Sequence, residues 1–174
     1  GARGARSGAR WLGRGGLGAR GVFAGPQGVG WVYHWSTEGT TDPGSLCASG
    51  LVGGVRGIAF DPFNAYDGDM IVTTTAGYVY RINSAGVATV LAMVGEDAEG
   101  LSFAPADFGP VAAGTLVVAS EGTGSLRAIT PTGAVSVIAT VPSAEMVSFV
   151  PMNLCVSGNP RGGFYSASSP VNIV

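Results

Sequence analysis

The sequence predicts an all-β fold: an incomplete β-propeller of about three four-stranded antiparallel blades with a period near 47 residues. Three observations predict it. Gly30, Gly77 and Gly124 open the related stretches Gly30-Trp31-Val32-Tyr33-His34-Trp35, Gly77-Tyr78-Val79-Tyr80-Arg81-Ile82 and Gly124-Ser125-Leu126-Arg127-Ala128-Ile129, each 47 residues after the last. Gly39, Gly86 and Gly133 keep the same step. Two glycine registers held over three copies mark an internal repeat, and a period of about 20–50 residues decides the fold class. The third observation is the start of each unit. Ile58-Ala59-Phe60-Asp61-Pro62 returns as Leu101-Ser102-Phe103-Ala104-Pro105 and as Val147-Ser148-Phe149-Val150-Pro151, at steps of 43 and 46. The loop after the first strand absorbs that unevenness, since loops tolerate insertions that ladders do not.

The elements follow in chain order. Residues 1–20 are Gly, Ala and Arg in low complexity, with five arginines. Such a segment lacks apolar surface to bury and is expected to be disordered or loosely attached, lying where the first blade's inner strand belongs. An arginine-glycine nucleic-acid tail is the less favoured reading. The propeller then occupies 21–174, with blades near 21–55, 56–98, 99–144 and a partial one over 145–174. In the first blade Val22-Phe23-Ala24 reads as the second strand, 30–36 as the third and 45–52 as the fourth. Strands are expected at 57–60, 69–74, 77–83 and 88–94, then at 100–103, 114–120, 124–130 and 135–141. Each is short, rich in Val, Ile, Thr and Tyr, and closed by Gly, Asn, Ser or Pro. Stretches such as Thr115-Leu116-Val117-Val118-Ala119 are apolar on both faces, so each sheet has to lie between two others. Radial stacking of four-stranded sheets satisfies that. About three blades cannot close a ring, so the chain is expected to be a fragment, or to close through missing blades or a second chain.

Composition removes several classes of function. There is no lysine, and once the first twenty residues are set aside four arginines face eleven acids, about −7 in net charge. That argues against a phosphate backbone as partner. No apolar run reaches the 18 residues of a membrane span, and no 7–15-residue apolar segment marks a signal peptide. One histidine and two distant cysteines exclude ordinary zinc spacings. His34 stands where the next copies have Arg81 and Ala128, so it belongs to a blade face and not to a nucleophilic triad. Cys47 and Cys155 fall two blades apart, awkward for a disulfide, and are expected as thiols. Gly50-Leu51-Val52-Gly53-Gly54 lacks the Lys-Ser/Thr of a phosphate loop and reads as an inter-blade turn.

The stretch from Gly57-Ile58-Ala59-Phe60-Asp61-Pro62 through Gly68 to Gly86 resembles the NHL-type and SMP-30/gluconolactonase-like six-bladed propellers, over about residues 21–174. Within that group it is most similar to the propeller repeats of exported bacterial proteins, which implies an extracellular location. The resemblance identifies a fold and leaves function open, since this architecture hosts hydrolases, lyases and binding modules. Glu99 and Glu145 stand at equivalent strand entries, Ala98-Glu99-Gly100 and Ala144-Glu145-Met146, with Arg56 one repeat earlier. In SMP-30-like enzymes a Glu at such an entry helps hold a channel calcium, so the resemblance implies calcium ligands there; the alternative is a blade-junction pair with an arginine. Asp61, Asn64, Asp67 and Asp69 form an acidic loop that could hold a surface calcium or simply make turns. Glu96-Asp97 extends the acidic run, as a cation or polyol site or as a solvated loop. The favoured function is a non-catalytic binding or scaffold propeller, its partner a small molecule, glycan or protein. The alternatives are part of a calcium-dependent lactonase or esterase, and a cell-surface repeat assembling through sheet edges.

Overall fold

The computed structural model describes residues 6–11, 21–36, 44–150 and 163–168. The first sheet holds β1 (Arg6–Trp11), β2 (Gly21–Pro26), β3 (Val32–Ser36) and β4 (Ser45–Ala48), paired in that order. The second holds β5 (Val55–Phe60), β6 (Met70–Thr74), β7 (Tyr78–Ile82) and β8 (Ala88–Met93). The third holds β9 (Leu101–Phe103), β10 (Leu116–Ser120), β11 (Ser125–Ile129) and β12 (Val135–Thr140). A two-stranded sheet of β13 (Ala144–Val150) and β14 (Gly163–Ser168) follows. All neighbours are antiparallel. The second and third sheets fall within two residues of the strands expected from sequence. Among the described residues no helix is long and apolar enough to cross a membrane.

Arg6–Trp11 departs from the loose arm expected of residues 1–20. It forms β1, the inner strand of the first blade, in register with β2 from Arg6↔Pro26 to Trp11↔Gly21. Backbone pairing needs no apolar side chain, which is why composition missed it. The other residues of 1–20 lie outside the described ones, as do Gly39, Cys155 and the loop containing Asn159-Pro160.

The second strand of each complete blade explains the stacking. Every residue of β6 and of β10 is buried, and side chains alternate faces along a strand. Met70 and Val72 join Phe23, Val32, Tyr80 and Ile82 in the core between the first two sheets. Ile71, between them, turns the other way and packs with Leu116, Val118 and Ile129. Val117 and Ala119 then look into a third core with Leu126, Ala128, Ala144 and Val147. The outer strand β12 is mostly exposed, as befits the rim. The inner strands β1, β5, β9 and β13 follow one another side by side.

Tyr66, fully buried on the loop after β5, ties the second blade to the third. Its hydroxyl donates to the Ile129 carbonyl and accepts from the Leu116 N–H at 2.9 Å, and its ring meets Phe103 edge-on at 5.6 Å. Burial pushes the phenol up to about 12, so it stays protonated. The Gly86 and Gly133 register has a steric cause. Both adopt φ near +80° at the tips of the β7–β8 and β11–β12 turns, and a Cβ there would lie 2.2 Å from the carbonyl oxygens of Cys47 and Leu91 on the preceding blade. Tyr66→Phe is expected to cost about 2 kcal/mol, because it strands a buried donor and a buried acceptor. Urea denaturation of the variant against the parent measures it.

Candidate functional site

Successive blades present their inner-strand entries next to one another, and the backbones there nearly touch. The Gly100 N–H donates to the Glu145 carbonyl at 2.7 Å. Thr73 Oγ1 accepts from the Gly57 N–H at 2.9 Å and donates to the Glu99 carbonyl at 2.7 Å. A Cβ on Gly57 would sit 2.8 Å from the Glu99 carbonyl oxygen, and one on Gly100 would sit 2.9 Å from Met146 Cα. Glycine after the charged entry residue is therefore a condition of the close approach. It sets Arg56, Glu99 and Glu145 in a row on adjacent inner strands.

The row is organised around Arg56. Its Nε donates to Asp97 Oδ1 at 3.0 Å and its Nη2 to the other Asp97 oxygen, the two-pronged geometry that favours Arg–carboxylate pairs. The same Nη2 lies 3.2 Å from Glu99 Oε1. Side-chain exposure is 13% at Glu99 and 22–25% at Arg56 and Asp97. The bond to Asp97 holds the guanidinium above its ordinary value, with the charges of Glu99, Asp97 and Glu121 adding to it against burial. Burial pushes the Glu99 carboxyl up to about 7. Arg56 opposes that rise, and Asp97, Glu121 and Glu145 reinforce it. Four ionisable groups thus act on Glu99, three acids and one base. A carboxyl titrating near neutrality in such a setting marks a functional-site candidate.

The other acidic residues are committed to structure. Asp61 is buried and accepts the N–H groups of Phe63 at 2.9 Å, Tyr66 at 2.6 Å and Gly68 at 3.2 Å. Asp67 and Asp69 both hold Arg81, at 2.5 and 2.8 Å from its Nη2. Asn64 and Asp67 take φ +58°, the left-handed region those residue types tolerate. Glu96 accepts Thr123 N–H and Oγ1, both at 2.7 Å, and Arg127 Nη2 at 2.5 Å. Burial pushes Glu96 up, but the Thr123 and Arg127 bonds outweigh it and leave the carboxyl below its ordinary value. Among the described residues no three His, Cys, Asp or Glu side chains gather as metal ligands. His34 lies against Phe23 with ring centroids 4.6 Å apart, its Nε2 buried without a partner. Cys47 is a half-buried free thiol, pushed up by burial.

The repeat aligns Glu99 and Glu145 at equivalent strand entries with Arg56 one repeat earlier, and the structure sets these entries on adjacent strands. Sequence reasoning left Asp97 on a loop and passed over Glu121. The repeat was the signal that aligned the first three. Asp97 and Glu121 lie on inter-blade and hairpin turns whose lengths vary between copies, so no register points to them.

Fold and row together define the class: an incomplete β-propeller with a charged row at its inner-strand entries. The chain is similar to the solved structure of a candidate gluconolactonase, with 13% identity and a TM-score of 0.60 over 85% of this chain and 53% of that one. It is also similar to virginiamycin B lyase from Staphylococcus aureus, with 11% identity and a TM-score of 0.59 over 97% of this chain and 61% of that one. At these identities the likeness establishes the propeller fold, and the chain spans between half and two thirds of either neighbour's length. No protein-family model and no curated protein matches the sequence.

Stability should follow the Glu99 proton. The folded carboxyl titrates near 7 against an ordinary 4.5, so the native state holds the proton more tightly than the unfolded chain. Stability from this group is fully present below pH 4.5 and falls as pH rises through 7. Glu99→Gln is expected to flatten that decline, as read by urea midpoints between pH 4 and 8.

Proposed function

We propose that this chain is the part of a binding propeller that presents an anionic site on the ring axis, for a small ligand carrying hydroxyl groups or a positive charge. The supporting observation is the row itself: Asp97, Glu99 and Glu121 act on one fixed cation, Arg56, and Asp97, Glu121 and Glu145 press on Glu99, leaving an excess of carboxylates. Carboxylates accept hydroxyl hydrogens and attract cationic groups. The Arg56–Asp97 pair keeps the row ordered without a ligand. Calorimetry with a small polyamine and with a polyol as probes tests the reading. Polyamine affinity is expected to rise several-fold as pH passes 7 and Glu99 ionises, and Glu99→Gln should remove the rise. Binding of neither probe at any pH would sink it.

A second reading is favoured by one feature of the same site. A carboxyl poised near 7 beside a guanidinium suits general acid–base work, and the two neighbours are by name a gluconolactonase and a lyase. Under this reading Glu99 moves a proton at a lactone or ester while Arg56 faces the developing oxyanion. Calcium does not fit the row as it stands, because Arg56 already occupies the positive position against Glu99 and, among the described residues, no three acidic, His or Cys side chains gather as metal ligands. Screening lactones and esters against the protein and Glu99→Gln, with calcium titration alongside Glu145→Gln, separates the readings. Turnover lost by at least a hundredfold in Glu99→Gln would establish catalysis; no turnover in either protein leaves the binding reading.

A further inference from the structure

The inner-strand entries share a backbone irregularity. Arg56 and Gly57 both stand opposite Thr73, between the pairs Val55↔Thr74 and Ile58↔Val72. Glu99 and Gly100 both stand opposite Ala119, whose carbonyl accepts the Glu99 N–H and whose own N–H donates to the Gly100 carbonyl, each at 2.9 Å. Glu145 and Met146 stand opposite Ala167, between Ala144↔Ser168 and Val147↔Ser166. Two residues against one make a β-bulge, a device that re-aims a side chain out of the regular alternation. Three consecutive blades place it at the charged entry residue. Asp97 is held differently, on the segment between β8 and β9. The Val94 and Ala98 N–H groups donate to the carbonyls of Gly77 and Thr74 in the second blade, at 2.8 and 3.2 Å, while Glu99 is bonded to Ala119 in the third. Ala98 is fully buried, and Glu96 is committed to Thr123 and Arg127. Asp97 thus lies between two anchored residues, whereas Arg56 reaches it through a long flexible side chain.

We infer that Asp97 is the positioning residue of the row: it holds the Arg56 guanidinium by both carboxylate oxygens, keeps it from closing on Glu99, and so leaves Glu99 to meet an incoming cation. The last step rests on the anionic-site reading above; the hold on Arg56 stands without it. The geometry carries the hold. Asp97 receives two directed bonds from Arg56, through Nε and Nη2, whereas Glu99 receives a single approach at 3.2 Å. The groups bearing on Glu99 are Arg56 on β5, Asp97 before β9, Glu121 in the β10–β11 turn and Glu145 on β13. Of these Arg56 alone is positive, and among the described residues only Asp97 and Glu99 lie within ion-pair distance of it. With Asp97 gone, Glu99 is the carboxylate the guanidinium can still reach. An opposite charge brought into contact favours the ionised carboxylate.

Carbon-13 NMR of the Glu99 carboxyl through a pH titration tests this in the parent, Asp97→Asn, Arg56→Gln and the double variant. Asp97→Asn removes a like charge as well as the hold, so the Glu99 midpoint falls in both backgrounds. The fall is expected to be about one pH unit larger where Arg56 is present. Asp97→Glu, which keeps the charge and both oxygens, is expected to restore most of the parent midpoint. An equal fall with and without Arg56 would overturn the proposal. The Arg56 Nε–H signal gives a second reading that needs no Arg56 variant: in Asp97→Asn it is expected to titrate together with Glu99, and a signal indifferent to Glu99 would also overturn it. Calorimetry with a small polyamine, at a pH where Glu99 is ionised, carries the last step. Asp97→Asn is expected to bind several-fold more weakly than Glu121→Gln, which removes an acid without releasing Arg56; equal weakening would refute that step. Binding by neither the parent nor any variant would sink the anionic-site reading, while the two NMR readings still decide the role of Asp97.

Discussion

The constraint on which the structure depends is that the second strand of each blade buries both faces. A strand such as β10, reading Leu-Val-Val-Ala-Ser, has no side it can show to water. Alternation along the strand sends Leu116 and Val118 into one core and Val117 and Ala119 into the next. Each sheet thereby becomes a wall shared by two cores, and a lone blade would leave two apolar faces open. Stability in such an array resides in nearest-neighbour contacts, as in other repeat architectures. The blade is the repeating unit of sequence, whereas the junction between blades is the unit of packing.

Junctions need more than apolar area, because two sheets can slide past one another. Directional contacts fix the offset. Tyr66 joins the loop of one blade to the ladder of the next through a single oxygen, and Glu96 clasps Thr123 and Arg127 across the same junction. Tyr80 performs the equivalent task one junction earlier with the Val52 amide. Position 80 is tyrosine and its repeat partner, position 127, is arginine; both reach back to the preceding blade, one with a hydroxyl and the other with a guanidinium. The repeat thus conserves the reach of the side chain and not its chemistry, within this one chain.

The fold was legible because its causes are periodic. Gly86 and Gly133 recur since each turn tip meets a carbonyl of the blade before it, and a side chain would collide there. The two-faced strands were legible for the same reason, as burial on both sides erases the polar alternation of an ordinary sheet. Arg6–Trp11 was illegible because a ladder of backbone hydrogen bonds leaves no mark in a Gly-, Ala- and Arg-rich stretch. The acidic loop misled for a related reason. Asp61, Asp67 and Asp69 resemble a cation shell in one dimension, yet one carboxylate closes its own turn and the other two hold Arg81. Residue types indicated charge there, but only the placement of the partner Arg81, twelve residues beyond Asp69, shows how that charge is used.

The charged row follows from the same geometry. Inner strands lie side by side, so repeat symmetry brings their entry residues next to one another. Burial, with the like charges of Asp97, Glu121 and Glu145 added to it, pushes the Glu99 carboxyl there up to about 7. Replacing one member of the series by Arg56 relieves part of it, since the guanidinium binds Asp97 and approaches Glu99 at 3.2 Å. The relief is incomplete: with burial and three neighbouring carboxylates pressing the other way, Glu99 keeps a proton that is easily lost or regained at neutral pH. At the neighbouring junction Arg127 and Glu96 meet one to one at 2.5 Å. The surplus of carboxylates over Arg56 is what the repeat geometry leaves at these strand entries.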